Sequence, residues 1–295
     1  MAKQKGYRDP VRLKRELRLA PGYILCIIWA VFTFMLIGWT LAASLVTPRD
    51  IFAGNLLNTF FERLLGGDLV FNNYVIAWSA QNLSLFFINS VVYCLMALPI
   101  IIVIAAPASY VLSRYKFRSN FAIQALTSIS MGVPAVMIIM PIFSLATAIN
   151  MTGTRTTLVF LYIGMNIPFT IFYLLPFFKN LPSGLEEAAA IDGCSPVRTF
   201  WQVMFPLAQP GIITVTIFNF ITIWGEFFIS MIFANDATIR PISVGLFHMV
   251  QGLRYSGHWG AMFASTVIVF APTLLLFVFL SNKILTSVTG GAIKG

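Results

Sequence analysis

The sequence predicts an all-α integral membrane protein with six transmembrane helices and both termini on the cytoplasmic side. Three observations carry this. Hydrophobic residues make up 58% of the 295-residue chain and charged residues only 10%, and mean hydropathy is +0.86; a soluble domain usually carries about a quarter charged residues. The apolar residues fall into six runs near the roughly twenty needed to cross a bilayer. With the N-terminus inside, fourteen Lys and Arg fall on inner segments and five on outer ones, the bias cytoplasmic loops carry. The net charge of +9 is thereby topological, and nucleic acid is not an expected partner.

Residues 1–20 form a basic cytoplasmic tail, with Lys3, Lys5, Arg8, Arg12, Lys14, Arg15 and Arg18 against Asp9 and Glu16. The uncharged run that follows exceeds the about 7–15 residues of a signal-peptide core. It reads as a retained first span over 22–46. Residues 21–83 group this span with an external segment, in which Phe60 to Leu65 suggests a short amphipathic helix and Phe71 to Tyr74 the start of another. Residues 84–282 form the main body, with spans at 86–112, 121–148, 157–178, 211–234 and 260–281. Asn150 to Thr156 makes an external turn, and 235–258 a second external segment. Residues 283–295 are a cytoplasmic tail. Pro99, Pro107, Pro134, Pro141, Pro168, Pro176 and Pro272 lie in the spans, where each removes a backbone hydrogen bond and invites a kink.

Between the fourth and fifth spans, 182–206 is the one long polar-flanked helical passage. Ser183 followed by Glu186 has capping-box spacing. Leu185, Ala188, Ala189 and Ile191 continue a helix, and Gly193 stands where a helix C-terminus takes a residue tolerant of positive φ. Ser195-Pro196 supplies an N-cap and a first-turn proline for a second helix running to Phe205, before Pro206. Glu226 is the ionisable residue that stands out inside a span. Such groups are costly in lipid and face a bundle interior or a water-filled cavity. At ~1.5 Å per residue it lies about 22 Å from Gly211, in the outer half. It reads either as a pathway-lining carboxylate or as an interfacial partner of Arg240 or Arg254. Asn89, Asn166 and Asn219 suit hydrogen bonds between helices.

The chain has no G-x-x-x-x-G-K-[ST] phosphate loop. His248 and His258, ten residues apart, have no cysteine or clustered carboxylate near them to suggest a metal site. Cys26 and Cys94 fall in apolar segments and Cys194 in the polar turn, so they read as two buried hydrophobes and one surface thiol. Catalysis by the chain itself, a cofactor and a metal are not expected.

Glu187-Ala188-Ala189, then three residues, Gly193, nine residues and Val203-Met204-Phe205-Pro206 resembles the EAA loop of ABC-importer permease subunits. In that pattern the last four are I-x-L-P, so valine and phenylalanine are mild departures. Glu186 to Ala189 with Ile191-Asp192-Gly193, Phe71-Asn72-Asn73-Tyr74, Asn89-Ser90, Trp224 to Phe227 and the terminal Gly291 to Gly295 resemble the carbohydrate-uptake class, in its shorter maltose-type six-span subunit. Gly225 stands where that class often has asparagine.

The resemblance implies a type I ABC-importer transmembrane fold in a prokaryotic cytoplasmic membrane. The expected partners are a second permease subunit forming a heterodimer, an ABC ATPase dimer that holds the ATP site, an extracytoplasmic solute-binding protein and a carbohydrate. Glu186, Glu187, Ala188, Ala189, Asp192, Gly193 and Pro206 become the expected ATPase-coupling residues. Glu187 would pair with a basic group on the ATPase or within the loop. Glu226, Trp224 and Asn219 become the expected substrate-pathway residues. The alternative is a six-span ion channel or membrane receptor not driven by ATP, although neither a filter-like loop nor a charged sensor helix is visible.

Overall fold

The computed structural model describes residues 10–80 and 82–290, without the side chains of 10–18, 80, 253, 254 and 282–290. Most basic residues of the N-terminal tail, the Lys283 and Lys294 side chains, the Arg254 side chain and residues 291–295 therefore lie outside the described residues.

Helix α1 (Pro10–Ser44) ends where Ala42, Ala43, Ser44 and Val46 become buried. Thr47 and Asp50 then form a reciprocal capping box, with Pro48 in the first turn, and start α2 (Pro48–Phe52). The amphipathic α3 (Leu56–Gly66), which contains the expected 60–65 segment, stops at Gly67 in the left-handed region (φ 77°). Arg63 returns from α3 to bind Asp50 at 2.9 Å. Burial alone would raise the Asp50 pKa, but hydrogen bonds from the Thr47 side chain and backbone, with the Arg63 guanidinium, outweigh it and hold the carboxyl below its ordinary value. Helix α4 (Asn72–Val75) runs into a π-turn over Ile76–Ala80. Its Asn73 side chain, buried, donates to the Ser44 and Val46 carbonyls at 3.0 Å each and ties down the end of α1. Tyr74 adds a hydroxyl contact to Ser44 at 2.7 Å.

The centre of the fold is the pair α5 (Leu83–Arg114) and α8 (Arg155–Lys179). They are the most buried of the four helices long and apolar enough to cross a membrane; the others are α1 and α15. Pro99 and Pro107 lie inside α5, and Pro168 and Pro176 inside α8, without ending either helix. The α5 C-terminus leaves carbonyls without helical partners. The Asn120 amide donates to Leu112 and Tyr115, and Gln124 donates to Leu112.

The third span, which the sequence predicts to be broken by Pro134 and Pro141, is broken at Pro134 alone. Helices α6 (Asn120–Met131) and α7 (Ala135–Ala148) meet at a 100° bend. Pro134 causes the break: it has no N–H to continue the ladder, and its ring biases Val133 out of helical conformation. Pro141 and Pro272 instead sit within continuous helices. The expected 150–156 turn is present, with Asn150 (φ 53°) and Gly153 (φ 69°) left-handed and Thr154 capping α8.

After α8 come α9 (Gly184–Ile191) and α10 (Pro196–Thr199). A π-turn, Phe200–Met204, carries α10 into α11 (Phe205–Leu207), so the chain passes through Pro206 instead of stopping before it. Proline is tolerated there because the first turn needs no N–H from it. A 76° bend leads to α12 (Gln209–Gly225). The expected fifth span is interrupted at Glu226 and Phe227, beyond which lies α13 (Phe228–Phe233). A 3₁₀ turn over Ala237–Ile239, α14 (Ile242–Ser256) and α15 (Trp259–Gly290) complete the described chain. Four long apolar helices and two bent pairs thus give six crossings if each bent pair is counted as one.

Helix α12 packs on α5 and α8, α15 on α12 and α14, and α1 along α15. One core cluster surrounds Tyr93, Tyr162, Trp224 and Ile242; another surrounds Tyr110, Phe178, Phe200 and Met204. Gly245 lets α14 approach α5, since a Cβ there would meet the Phe86 ring at 2.2 Å.

Candidate functional site

The α9–α10 elbow is built by local chemistry. Gly193 takes φ +75°, Cys194 N–H donates to the Ala189 carbonyl at 2.9 Å, and Gly193 N–H donates to Ala190 at 3.1 Å. These are the paired bonds of a Schellman turn, which a residue tolerant of positive φ permits. Ser195 accepts from the Arg198 N–H at 3.4 Å, with Pro196 following, so the second helix starts as its sequence requires.

The capping box expected at α9 is absent. Ser183 is itself helical (φ −66°, ψ −28°) and makes no side-chain cap bond, whereas a capping residue needs extended backbone. The Glu186 carboxylate has turned elsewhere. Its Oε1 accepts from the Tyr110 hydroxyl at 2.6 Å, and its Oε2 lies 3.6 Å from Arg114 Nε, a charge contact too long for a hydrogen bond. Arg114 Nη2 also donates to the Leu181 carbonyl. The end of α5 thus grips the elbow at two points.

The remaining elbow residues divide by exposure. Ala189 is buried on its own chain, while Glu187, Ala188, Asp192, Gly193 and Pro206 are exposed. Glu187 makes no ion pair among the described residues. Two apolar side chains stand in the open, Ile191 at 87% and Val197 at 68% exposure. The elbow therefore presents a mixed acidic and apolar face on a fixed turn. Cys94 is buried, as expected, whereas Cys194, expected as a surface thiol, is half-buried and Cys26, expected as a buried hydrophobe, is exposed.

At the opposite end of α5, polar side chains hold residues 238–242. Asn89 Nδ2 donates to the Thr238 and Arg240 carbonyls at 2.9 Å each, and Tyr93 OH to Ile239 O at 2.6 Å. Ser90 Oγ accepts from Ile242 N–H at 2.8 Å. Arg155 of α8 adds a bond to Thr238 O at 2.8 Å.

Glu226 lies at the break between α12 and α13. Its Oε1 accepts from Ile229 N–H at 2.7 Å and its Oε2 from Ser230 N–H at 2.9 Å, and Ser230 Oγ donates to Oε2 as well. Ser230 Oγ also pairs with Tyr162 OH at 2.6 Å, and Ser243 Oγ donates to the Glu226 carbonyl. The carboxylate therefore caps a helix that restarts within the body of the protein. Arg240 does not pair with it; Arg240 Nη2 donates to Asn235 O instead.

Trp224 and Asn219 are buried. The indole N–H donates to Val269 O at 3.0 Å, and the ring stacks on Phe220 and meets Phe87 edge-on. Asn219 Nδ2 donates to Thr170 Oγ1 at 2.8 Å, joining α12 to α8. Asn89 binds the Thr238 and Arg240 carbonyls instead of a neighbouring helix, and Asn166 donates within α8 to Tyr162 O. Of the three expected pathway residues only Glu226 keeps an exposed edge.

Sequence reasoning missed Tyr110, Arg114 and Tyr93. Arg114 had been counted only as an inner-face charge, and a tyrosine in an apolar helix carries no local sign of its distant acceptor.

This arrangement is an ABC-importer permease fold. A bacterial ABC transporter involved in the import of the acidic polysaccharide alginate superposes with a TM-score of 0.78, covering 94% of this chain and 99% of that one at 18% identity. The chain belongs to the family of binding-protein-dependent transport system inner membrane components, whose model matches residues 97–285. Among relatives, the diacetylchitobiose uptake system permease protein NgcG of Streptomyces coelicolor is 31% identical over 93% of this chain and 89% of its own. The trehalose transport system permease protein SugB of Mycobacterium tuberculosis is 26% identical over 90% and 97%. The protein is thus a multi-pass, inner-membrane component of an ABC transport system.

Proposed function

We propose that this chain is one of two permease subunits of an ATP-driven carbohydrate importer, and that its elbow docks on a separate ATPase dimer. The observation that carries this reading is the elbow itself. Its Schellman turn fixes the backbone, and it leaves Glu187, Ile191 and Val197 exposed where a partner can reach them. Burying one large apolar side chain is worth about 1.5–3 kcal/mol, so Ile191 and Val197 give a partner cleft an apolar anchor. Glu187 adds a charge that can select a basic partner group. In this orientation both chain ends and the elbow face the cytoplasm, and the segments around α3 and α14 face a solute-binding protein. The diacetylchitobiose and trehalose systems among its relatives support a cargo of the carbohydrate class.

Glu226 shapes the pathway wall at the α12–α13 break, while Trp224 and Asn219 hold α12 against α15 and α8 behind it. The test is mild-detergent purification of the intact complex, followed by sugar uptake in proteoliposomes. An ATPase recovered with the unmodified chain, and uptake that needs ATP, support the reading. Solute flux that runs without ATP, with no ATPase recovered, would establish the channel alternative instead.

A further inference from the structure

We propose that Tyr110, Glu186 and Arg114 form a transmission joint, making α5 a lever that links the elbow to the external segment 238–242. The inference rests on the docking role proposed for the elbow and adds the route by which its movement leaves it.

The contacts that tie the elbow to the body are of two kinds. Leu181, Leu185, Val203 and Phe205 pack around Phe178, Phe200 and Met204; apolar packing of this sort is non-directional and lets surfaces slide. The polar contacts to α5 are directional. Tyr110 OH reaches Glu186 at 2.6 Å, Arg114 lies 3.6 Å from the same carboxylate, and Arg114 holds Leu181 O. Hydrogen bonds to an ionised carboxylate are stronger than neutral ones. The Glu186 side chain is 24% exposed and Arg114 14%, so screening by salt is reduced. The Tyr110 ring is wedged between Phe178 and Phe200, with centroids 5.7 and 5.2 Å away, so its hydroxyl is pre-placed.

From Tyr93 to Tyr110, α5 runs about 25 Å at 1.5 Å per residue, and it is unbroken across that distance. At the far end Asn89, Ser90 and Tyr93 make four hydrogen bonds to 238–242. A continuous helix, which carries Pro99 and Pro107 in this stretch without a break and is bonded at both ends, is a physical route for coupling between distant sites. The elbow also follows α8 directly along the chain, with Leu181 N–H donating to the Phe178 carbonyl at 3.3 Å, and meets it through the aromatic and aliphatic cluster.

Tyr110→Phe tests the joint most narrowly, because it removes one hydroxyl and keeps the wedged ring. It is assayed in the assembled complex beside Glu186→Gln and the double variant. The readouts are ATPase recovery, thermal midpoint, ATP hydrolysis and sugar transported per ATP. For Tyr110→Phe, ATPase recovery and hydrolysis stay within about twofold and the thermal midpoint is not lowered, while transport per ATP falls at least fivefold. Glu186→Gln keeps an acceptor for Tyr110 but removes the charge facing Arg114, so it lowers the ratio as well. The double variant, which loses both interactions, falls at least as far as either single variant. Unchanged transport per ATP in both single variants would overturn the joint. A loss that only tracks lost ATPase recovery would overturn it too, making these groups part of docking. If the unmodified chain recovers no ATPase, the docking reading itself fails and the joint with it.

Discussion

Replacing Gly193 by leucine tests the elbow at the position where backbone and partner demands meet. The residue adopts φ +75°, and a Cβ built there meets no atom within 4 Å. Lack of space within this chain is therefore not the obstacle. An L-residue in the left-handed region costs roughly 1–2 kcal/mol, which is about a five- to thirtyfold shift in the equilibrium between turned and unturned elbow at 1.4 kcal/mol per factor of ten. The leucine side chain would also project from the exposed face proposed to meet the ATPase. Membrane insertion should be unaffected, ATPase recovery should fall at least fivefold, and ATP-driven uptake should be abolished. Gly193→Asn separates the two causes, since asparagine visits the left-handed region most readily among larger residues. It should retain more uptake than leucine. Quantitative pull-down and proteoliposome uptake of both variants provide the measurement. Normal uptake by the leucine variant, or identical losses in both, would refute the backbone argument.

Other regions give independent predictions. Glu226→Ala removes the cap of α13 and should cost about 1–2 kcal/mol, seen as a lowered thermal midpoint of the purified complex; Glu226→Gln, which retains one acceptor, should lose less. Gly245→Ala drives a Cβ into the Phe86 ring at 2.2 Å and should destabilise by about 1–3 kcal/mol; adding Phe86→Leu should recover part of the loss in the same melt. Asp50 has a depressed folded pKa, so its contribution is present above the ordinary aspartate value of about 3.9 and is lost as pH falls through the lower folded value. Asp50→Asn should therefore flatten the acid limb of a stability–pH curve and lower stability near neutrality.

The membrane class, the elbow and its glycine were legible because each depends on local chemistry. Hydropathy over about twenty residues reports the solvent around a helix, and a Schellman turn at Gly193 needs only its own few residues. The Ser183–Glu186 box was misread for a related reason. Its spacing satisfies a local rule, yet Tyr110, 76 residues away in sequence, takes the carboxylate. The break of the third span at Pro134 is legible in the sequence, but its 100° angle and the unbroken helix through Pro141 are not, because a proline removes a backbone bond without specifying where the next helix will pack.

The sequence by itself determined that this protein lives in a membrane and carries a permease elbow, since composition, periodicity and motif register are written along the chain. Only the tertiary structure decided which polar groups meet. Glu226 became a helix cap, Trp224 and Asn219 ties between helices, and Asn89 and Tyr93 anchors of the loop at 238–240. In an apolar interior each buried polar group requires a partner, and the partner is chosen by three-dimensional proximity, which one-dimensional spacing does not encode.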